Sequence, residues 1–452
     1  MLVSQAKPYM KDFEKLKKDA LLMFDSALDA ADPYKAVHRH VSREGHFLSV
    51  GIQKYDLRET EKIIVVGAGK ASARMGMAVE EILGDLISDG LINVKYGHGA
   101  PLRKITVHEG GHPVPDLHGL EGTRKLFSLV KGASGKDIVI CLISGGGSSL
   151  MPMPVPGIDL QSKQEITHIL LGCGATIHEV NAVRKHISGI KGGRLAQAAA
   201  PAQVISLILS DVIGDDLDVI ASGPTVPDTT EFITALNILA GYDLTDRVPR
   251  NVLNYLQAGA DGDNPETPKP DNPIFENVVN VVIANNTGAI NAAAAKAGSL
   301  GYRSLVLSSF IQGEAREVAR VMAAIAREIS ASGRPIPRPA CVIAGGETTV
   351  TLKGKGIGGR NQELALAALL DLGNIDNTLI LAAGTDGTDG PTDAAGAMAS
   401  INTLFVAEKQ GLLARDYLTN NDSYNFFKAT GDLIITGPTG TNVMDIILVI
   451  VG

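Results

Sequence analysis

Five times along this chain an apolar run rich in β-branched residues breaks off into glycine or aspartate and is followed by a helical pattern. The runs are KIIVVGAGK, DIVICLISGGGSS, VISLILSDV, CVIAGGETT and TLILAAGTDGTDG. A strand that is apolar on both sides must be covered on both sides. Alternation with helices therefore predicts a parallel sheet with crossover helices, an α/β fold. In such sheets ligands bind just past the carboxyl ends of the strands, where loops present backbone N–H groups. The five polar strand ends are thus the places to look for chemistry.

At 452 residues the chain exceeds what one core usually organises, which predicts two domains. The segment Ala258 to Pro273, AGADGDNPETPKPDNP, has almost nothing apolar to bury and reads as a linker or exposed loop. Residues 1–270 are then expected to form an N-terminal Rossmann-like α/β domain with a largely parallel sheet flanked by helices. Residues 271–452 form a second α/β domain, opening with NVVIANN. The first forty residues read as helix, with Phe13, Leu16, Ala20, Leu21, Phe24 and Leu28 at spacings of three and four.

Charge and composition exclude several functions. The net charge is −8, there is no Trp, and no basic cluster is interleaved with aromatic residues, so the footprint of a nucleic-acid binder is missing. No apolar stretch approaches the roughly 20 residues needed to span a bilayer, which gives a cytoplasmic expectation with no membrane partner. Cys141, Cys173 and Cys341 are too far apart for a zinc or disulfide pattern. The 50 glycines gather at the ends of apolar runs, where they suit ligand-facing loops.

In the first loop, Gly67-Ala68-Gly69-Lys70-Ala71-Ser72 fits neither common nucleotide motif. Ser72 stands where a dinucleotide fingerprint needs its third glycine, and Ile64 and Ala71 stand where a Walker loop needs Gly and Ser or Thr. Lys70 nevertheless lies between a strand end and a helix start, a position suited to phosphate or carboxylate. The alternative is an ordinary surface lysine. Ser144, Gly145, Gly146, Gly147, Ser148 and Ser149 read as an anion cradle, since one serine-capped turn needs one glycine rather than three. Arg184, Lys185, Lys191 and Arg194 fall within a short stretch of an otherwise acidic chain; each could wall an anionic site or merely be a solvated helix face. Asp211, Glu347, Asp386 and Asp389 lie at strand ends where magnesium-phosphate chemistry uses hard oxygen ligands, although such an aspartate can instead cap a helix. Arg360, behind two glycines, is placed to fork onto phosphate or carboxylate oxygens. His112, in GGHPVPD, reads as a loop or core residue before a substrate contact.

Taken in order, VVGAGKAS, GGHPVPD, LISGGGSSL, NAVRKHIS, IKGGRLA, SDVIGDDLDVIASGPTVPD, GGETTVTLKGKGIGGRNQE, GTDGTDGPTDAAGA and TGPTGTN resemble the glycerate 2-kinase family, the group with a C-terminal MOFRL domain. The resemblance runs from about residue 20 to the end. It implies an ATP-dependent, Mg²⁺-requiring enzyme that converts D-glycerate to 2-phosphoglycerate, with two α/β domains and the active site in the cleft between them. By position, Lys70 and Arg360 match the family's charged active-site pair, and SGGGSS, GTDGTDG and Asp211 match its cleft lining. Lys70, Arg360, Asp211 and Asp386 are accordingly the candidate catalytic residues. Ser144 to Ser149, Glu347 and Lys191 are the candidate nucleotide-binding residues, and Asp386 and Asp389 the candidate metal ligands. The expected partners are glycerate and ATP, in a monomer or homodimer.

Family members have also been labelled hydroxypyruvate reductases, so an NAD(P)H-dependent reductase is the first rival. The defective fingerprint at residues 67–72 and the lack of a His/carboxylate pair for hydride chemistry weigh against it. A non-catalytic sensor of small phosphorylated acids is the second; it would not need several carboxylates at strand ends.

Overall fold

A computed structural model describes residues 6–373 and 375–452, with side chains from residue 13 onward. The chain forms two compact units. One is Pro33–Ile283; the other joins residues 284–452 to the N-terminal helix Ala6–Ala31.

The centre of the first unit is a six-stranded sheet in the order Thr106–Gly110, Ile87–Lys95, Ile63–Ala68, Ile138–Ile143, Gln203–Leu209, Val278–Ala284. The pairings among the first five strands are all parallel. Numbered along the chain the order is 3-2-1-4-5-6, the doubly wound arrangement, with its switch point between the first and fourth strands. Ile63–Ala68 and Ile138–Ile143 are buried along their whole length, as their unbroken apolar sequences require. Helices are fixed locally by caps. Asp159 accepts from the Ser162 N–H at 2.7 Å to start helix Leu160–Gly172, and Thr176 and Glu179 form a capping box at helix Ile177–His186. A small antiparallel sheet, Val41–Glu44, Phe47–Val50 and Gln53–Asp56, was not expected from sequence; its strands are too short and too polar to read.

The second unit carries a mixed sheet in the order Arg303–Glu314, Ala340–Thr349, Asp445–Val451, Thr378–Gly384, Gly396–Ser400, Leu433–Ile434. Only the first pair is parallel; the C-terminal strand Asp445–Val451 runs antiparallel to both of its neighbours. Helix Ala6–Ala31 packs on helix Asn286–Ser299 of this unit. Leu16, Ala20, Phe24 and Ala27 on its apolar face are all buried.

Two expectations about domain boundaries need correction. The NVVIA strand, expected to open the second domain, is the edge of the first sheet, and the N-terminal helix groups with the second unit. The supposed linker at 258–273 is held by polar contacts inside the first unit. Thr267 donates to the fully buried Asp228 at 3.0 Å, the Asp228 N–H donates to the Pro268 carbonyl at 3.0 Å, and Glu266 meets His186 Nε2 at 3.0 Å. Hydrophobic patterning cannot see a segment that docks through hydrogen bonds. Asp228 also accepts from Thr230 and from the buried Lys185. Asp228→Ala is expected to lower the unfolding free energy by about 3 kcal/mol, because it removes one of the two carboxylates that hold the buried Lys185 and the acceptor of Thr230 and Thr267, and to turn 258–273 into an early cleavage site. Urea unfolding and limited proteolysis check both; a variant with wild-type stability and resistance would mean that other contacts dock the segment.

Candidate active site

The first and fourth strands of the doubly wound sheet end side by side, and their loops are locked together by backbone contact. A methyl group on Gly67 would overlap the Leu142 carbonyl oxygen, and one on Gly69, where φ is +146°, would overlap the Ser144 hydroxyl. The Lys70 N–H donates to the Gly145 carbonyl at 2.9 Å and the Ala71 N–H to Ser144 Oγ at 3.0 Å. Ser72, the residue that spoils the dinucleotide fingerprint, is fully buried and donates to the Leu142 carbonyl at 3.0 Å. It closes the joint between the loops.

Three side chains converge on this joint. A Cβ on Gly145 would overlap the Asp211 carboxylate, and one on Gly146 would come within 2.8 Å of His112 Nε2 and 3.6 Å of Lys70 Cγ. The glycines therefore make room for Asp211, His112 and Lys70. Among the described residues the half-buried Lys70 ammonium has no hydrogen bond or ion pair. Burial, with help from Lys70, Lys95 and His98, brings the His112 imidazole down to about 4, so it is neutral at physiological pH. Sequence reasoning placed His112 second as a ligand contact; its neighbourhood with Gly146 became visible only in three dimensions.

Lys191 lies beneath the same loop. It is 1% exposed, and its ammonium donates to Ser148 O at 2.8 Å, Ser148 Oγ at 3.0 Å and Ala221 O at 3.3 Å. The expected basic wall divides. Lys185 pairs with Asp218 at 2.7 Å and Asp228 at 3.4 Å, and Arg194 donates to the carbonyls of Ser188 and Pro265. These two hold the fold together, whereas Arg184 and Lys191 have no carboxylate partner among the described residues.

In the second unit, Arg360 forks as expected, but onto a protein carboxylate. Its Nε and Nη2 donate to Asp445 at 2.6 and 3.0 Å, and Nη1 donates to Glu347 at 2.6 Å. Burial works to lower the guanidinium's pKa, but Asp445 and then Glu347 more than offset it and hold Arg360 firmly charged. Glu347 itself is raised, first by burial and then by repulsion from Asp445 and Asp386, against the lowering pull of Arg360. A Cβ on Gly384 would stand 3.4 Å from both Asp386 Oδ1 and Asp445 Oδ1, so these two carboxylates face one spot. Asp445 went unnoticed in sequence; a lone aspartate opening the apolar run MDIILVIVG was the available signal.

Asp389, expected to bind metal, has other work. It is 2% exposed, and its two oxygens accept from the Asn361 N–H at 3.1 Å and the Gln362 N–H at 2.8 Å, capping helix Arg360–Leu372 from a distant loop. Asp386 Oδ1 accepts from Thr388 N and Oγ1 at 3.1 and 3.2 Å. Burial pushes Asp389 up from 3.8 to about 6 despite those two N–H donors. A carboxyl raised in the folded state binds its proton more tightly there than in the unfolded chain, so its contribution favours folding below about pH 4 and is lost as pH rises through 6. The excess stability of wild type over Asp389→Asn should therefore shrink by on the order of 2 kcal/mol between pH 4 and pH 7. Denaturant titrations of both proteins at the two pH values measure it; a pH-independent difference would assign Asp389 an unshifted pKa.

Comparison with known proteins adds to this geometry. Residues 340–445 match the MOFRL family, and residues 19–257 match a domain of unknown function, DUF4147. A glycerate 2-kinase of Pyrococcus horikoshii is 41% identical over 96% of this chain and 97% of its own, and a D-glycerate 2-kinase of Thermotoga maritima is 42% identical over 97% and 99%. A relative in Agrobacterium vitis, 41% identical over 95% and 93%, is provisionally named a hydroxypyruvate reductase. The crystal structure of glycerate kinase from Thermotoga maritima superposes with a TM-score of 0.87 at 40% identity, covering 97% of this chain and all of that one. With relatives this similar along almost its whole length, and with a MOFRL domain at its C-terminal end, the chain belongs to the glycerate 2-kinase family.

Proposed function

We propose that the chain is an ATP-dependent glycerate kinase, transferring the γ-phosphoryl group of ATP to the 2-hydroxyl of D-glycerate. The observation that carries this reading is Lys70, an ammonium without a partner among the described residues, set at the switch point of a doubly wound sheet beside a triple-glycine loop. Phosphoryl transfer passes through a loose transition state, so catalysis rests on alignment and on neutralising charge at the transferring oxygens. Lys70 would supply that charge. The Ser144 to Ser149 loop would lie against the transferring group, with Asp211 and His112 at its edge. A neutral His112 can accept a hydrogen bond from a hydroxyl without adding charge.

The residues of the second unit fit Mg²⁺. Asp386, Glu347 and Asp445 are hard oxygen donors, near enough that Asp445 and Asp386 add to burial in raising Glu347, and Mg²⁺ prefers carboxylates together with substrate phosphates. Asp386 and the Glu347 oxygen that Arg360 does not hold would hold the ion, with both Asp445 oxygens already committed to Arg360 and Asp389 to its helix. Bound there, Mg²⁺ would supply Lewis-acid neutralisation of phosphate charge. The relatives with glycerate kinase names support this assignment. The reductase reading draws support from the Agrobacterium name, but Ser72 fills the position where the dinucleotide motif needs its third glycine.

Purified protein should consume ATP only when D-glycerate and a divalent metal are both present, with 2-phosphoglycerate as the product. Oxidation of NADH by hydroxypyruvate, without ATP, would replace this reading with the reductase. Lys70→Ala is expected to lower kcat by on the order of 10³-fold with an unchanged Tm, since no partner is stranded; activity within about tenfold of wild type, roughly 1.4 kcal/mol of barrier, would return Lys70 to the surface. Arg360→Ala should lower both kcat and Tm, because it leaves the buried Asp445 unpaired. Asp386→Asn should raise the Mg²⁺ concentration needed for half-maximal rate about tenfold or more, and an unaltered metal dependence would remove it from the metal site.

A further inference from the structure

Beneath the triple-glycine loop lie three basic side chains that no carboxylate pairs among the described residues. Lys191 donates only to neutral oxygens, those of Ser148 and Ala221. Lys163, 5% exposed, reaches only the Met153 carbonyl, at 3.5 Å. The half-buried Arg184 guanidinium has no hydrogen bond or ion pair among the described residues. The three are near enough to act on one another: burial first, then Arg184 and Arg194, brings Lys163 down to about 7, and burial, then Lys163 and Arg184, lowers Lys191 well below its ordinary value. Of the carboxylates of this region, Asp218, Asp228 and Glu266 are engaged with Lys185 and His186, Asp216 lies against Asp218 and His178, and Asp211 stands beside Gly145. Burial without a carboxylate partner pushes the two lysines toward their neutral forms, and an anion bound among these groups would restore their charge.

A run of hydrogen bonds shows where that ligand would dock. From Lys191 Nζ it passes to Ser148 Oγ, then to Ser222 Oγ at 3.0 Å, and Ser222 Oγ donates to Asn181 Oδ1 at 3.0 Å. There it ends: Asn181 Nδ2 is buried and has no acceptor. A primary amide that spends its oxygen and leaves its N–H donors idle in the interior lacks an acceptor, at a cost of about 1–3 kcal/mol. Arg184 is three residues beyond Asn181 on helix Ile177–His186 and so shares its face.

We propose that Arg184 and Asn181, backed by Ser148 and Lys191, form an oxyanion subsite that receives the carboxylate of the hydroxy-acid substrate. The assignment rests on the kinase reading above and adds to it which end of the acid is held, and by what. A carboxylate suits this site better than the phosphates of ATP. A carboxylate presents two oxygens in one plane and can dock without a metal beside it. Arg184's planar fork matches two carboxylate oxygens, and Asn181 Nδ2 offers a further donor. With the carboxylate fixed there, the 2-hydroxyl is the one held next to it, and the cradle that lies over Lys191 is the cradle that meets Lys70.

The test is Arg184→Gln and Arg184→Lys, with D-glycerate titrated calorimetrically into ATP-free protein and steady-state kinetics run alongside. Binding of D-glycerate to Arg184→Gln should weaken by about 30-fold or more, the worth of a charged hydrogen-bonded pair. The KM for ATP should stay within about twofold, and Arg184→Lys should recover part of the loss. A neutral analogue, the amide of glyceric acid, should bind wild type and Arg184→Gln equally. If the KM for ATP rises while glycerate binding is unchanged, the subsite holds nucleotide phosphate and the proposal is overturned. If the amide loses as much as the acid, or melting temperature alone falls, Arg184 is structural and the proposal is again overturned. Should wild type bind D-glycerate in an Arg184-dependent way yet transfer no phosphoryl group, the kinase reading fails while the carboxylate subsite stands.

Discussion

Two parallel strands end so close together that no side chain fits between their loops. Gly67 and Gly69 lie against the backbone and hydroxyl of Leu142 and Ser144, and much of the first unit's site depends on this contact. Because the loops touch, the Lys70 and Ala71 N–H groups are satisfied by Gly145 and Ser144, which fixes where the Lys70 side chain leaves the backbone. Because Gly145 and Gly146 lack a Cβ, Asp211 and His112 can stand beside it. The doubly wound order accounts for the location, since ligands of such sheets bind past the strand ends at the reversal, here between the first and fourth strands.

The second unit solves a different problem with a similar economy. Its C-terminal strand lies between two antiparallel neighbours, and the first residue of that strand, Asp445, is buried. A buried carboxylate needs a cation, and Arg360 provides it bidentately. Arg360 begins a helix whose own amides are capped by Asp389, so the guanidinium is aimed by one carboxylate and its helix is anchored by another. Glu347 and Asp386 remain as the less committed acids. Rigid support behind a polar group is what makes its position reproducible.

Much of this was legible before any coordinates. Alternating apolar runs and helices, glycine at strand ends and the ordered motifs of a known family gave the α/β class and the location of Lys70, Ser144 to Ser149 and Arg360. What escaped has a common physical cause. The 258–273 segment is held by Thr267, Glu266 and the Pro268 carbonyl rather than by apolar side chains, and periodicity carries no information about such contacts. The N-terminal helix announces an apolar face but not which core will take it. Likewise Asp389 and Asp386 sit in one repeated GTDGTDG motif, yet one caps a helix 28 residues earlier in the chain and the other bonds its own turn. Identical local sequence cannot report which distant amides come within reach.

Each unit leaves some of its charged groups without a partner of opposite sign. Around the first unit's loops the groups without carboxylate partners are cations, Lys191, Arg184 and Lys163, with the neutral His112 nearby. In the second, carboxylates outnumber the one arginine they surround. Phosphoryl transfer between a metal nucleotide and an organic acid needs both kinds of surface: oxygens for the metal, and ammonium or guanidinium groups for the acid and the transferring phosphate. A cation and a carboxylate at hydrogen-bond distance neutralise each other, as Lys185 and Asp228 do, and are spent on stability. Within each unit the groups short of partners are the ones left for a ligand. That shortage, costly to each unit alone, is what a charged ligand relieves when it binds.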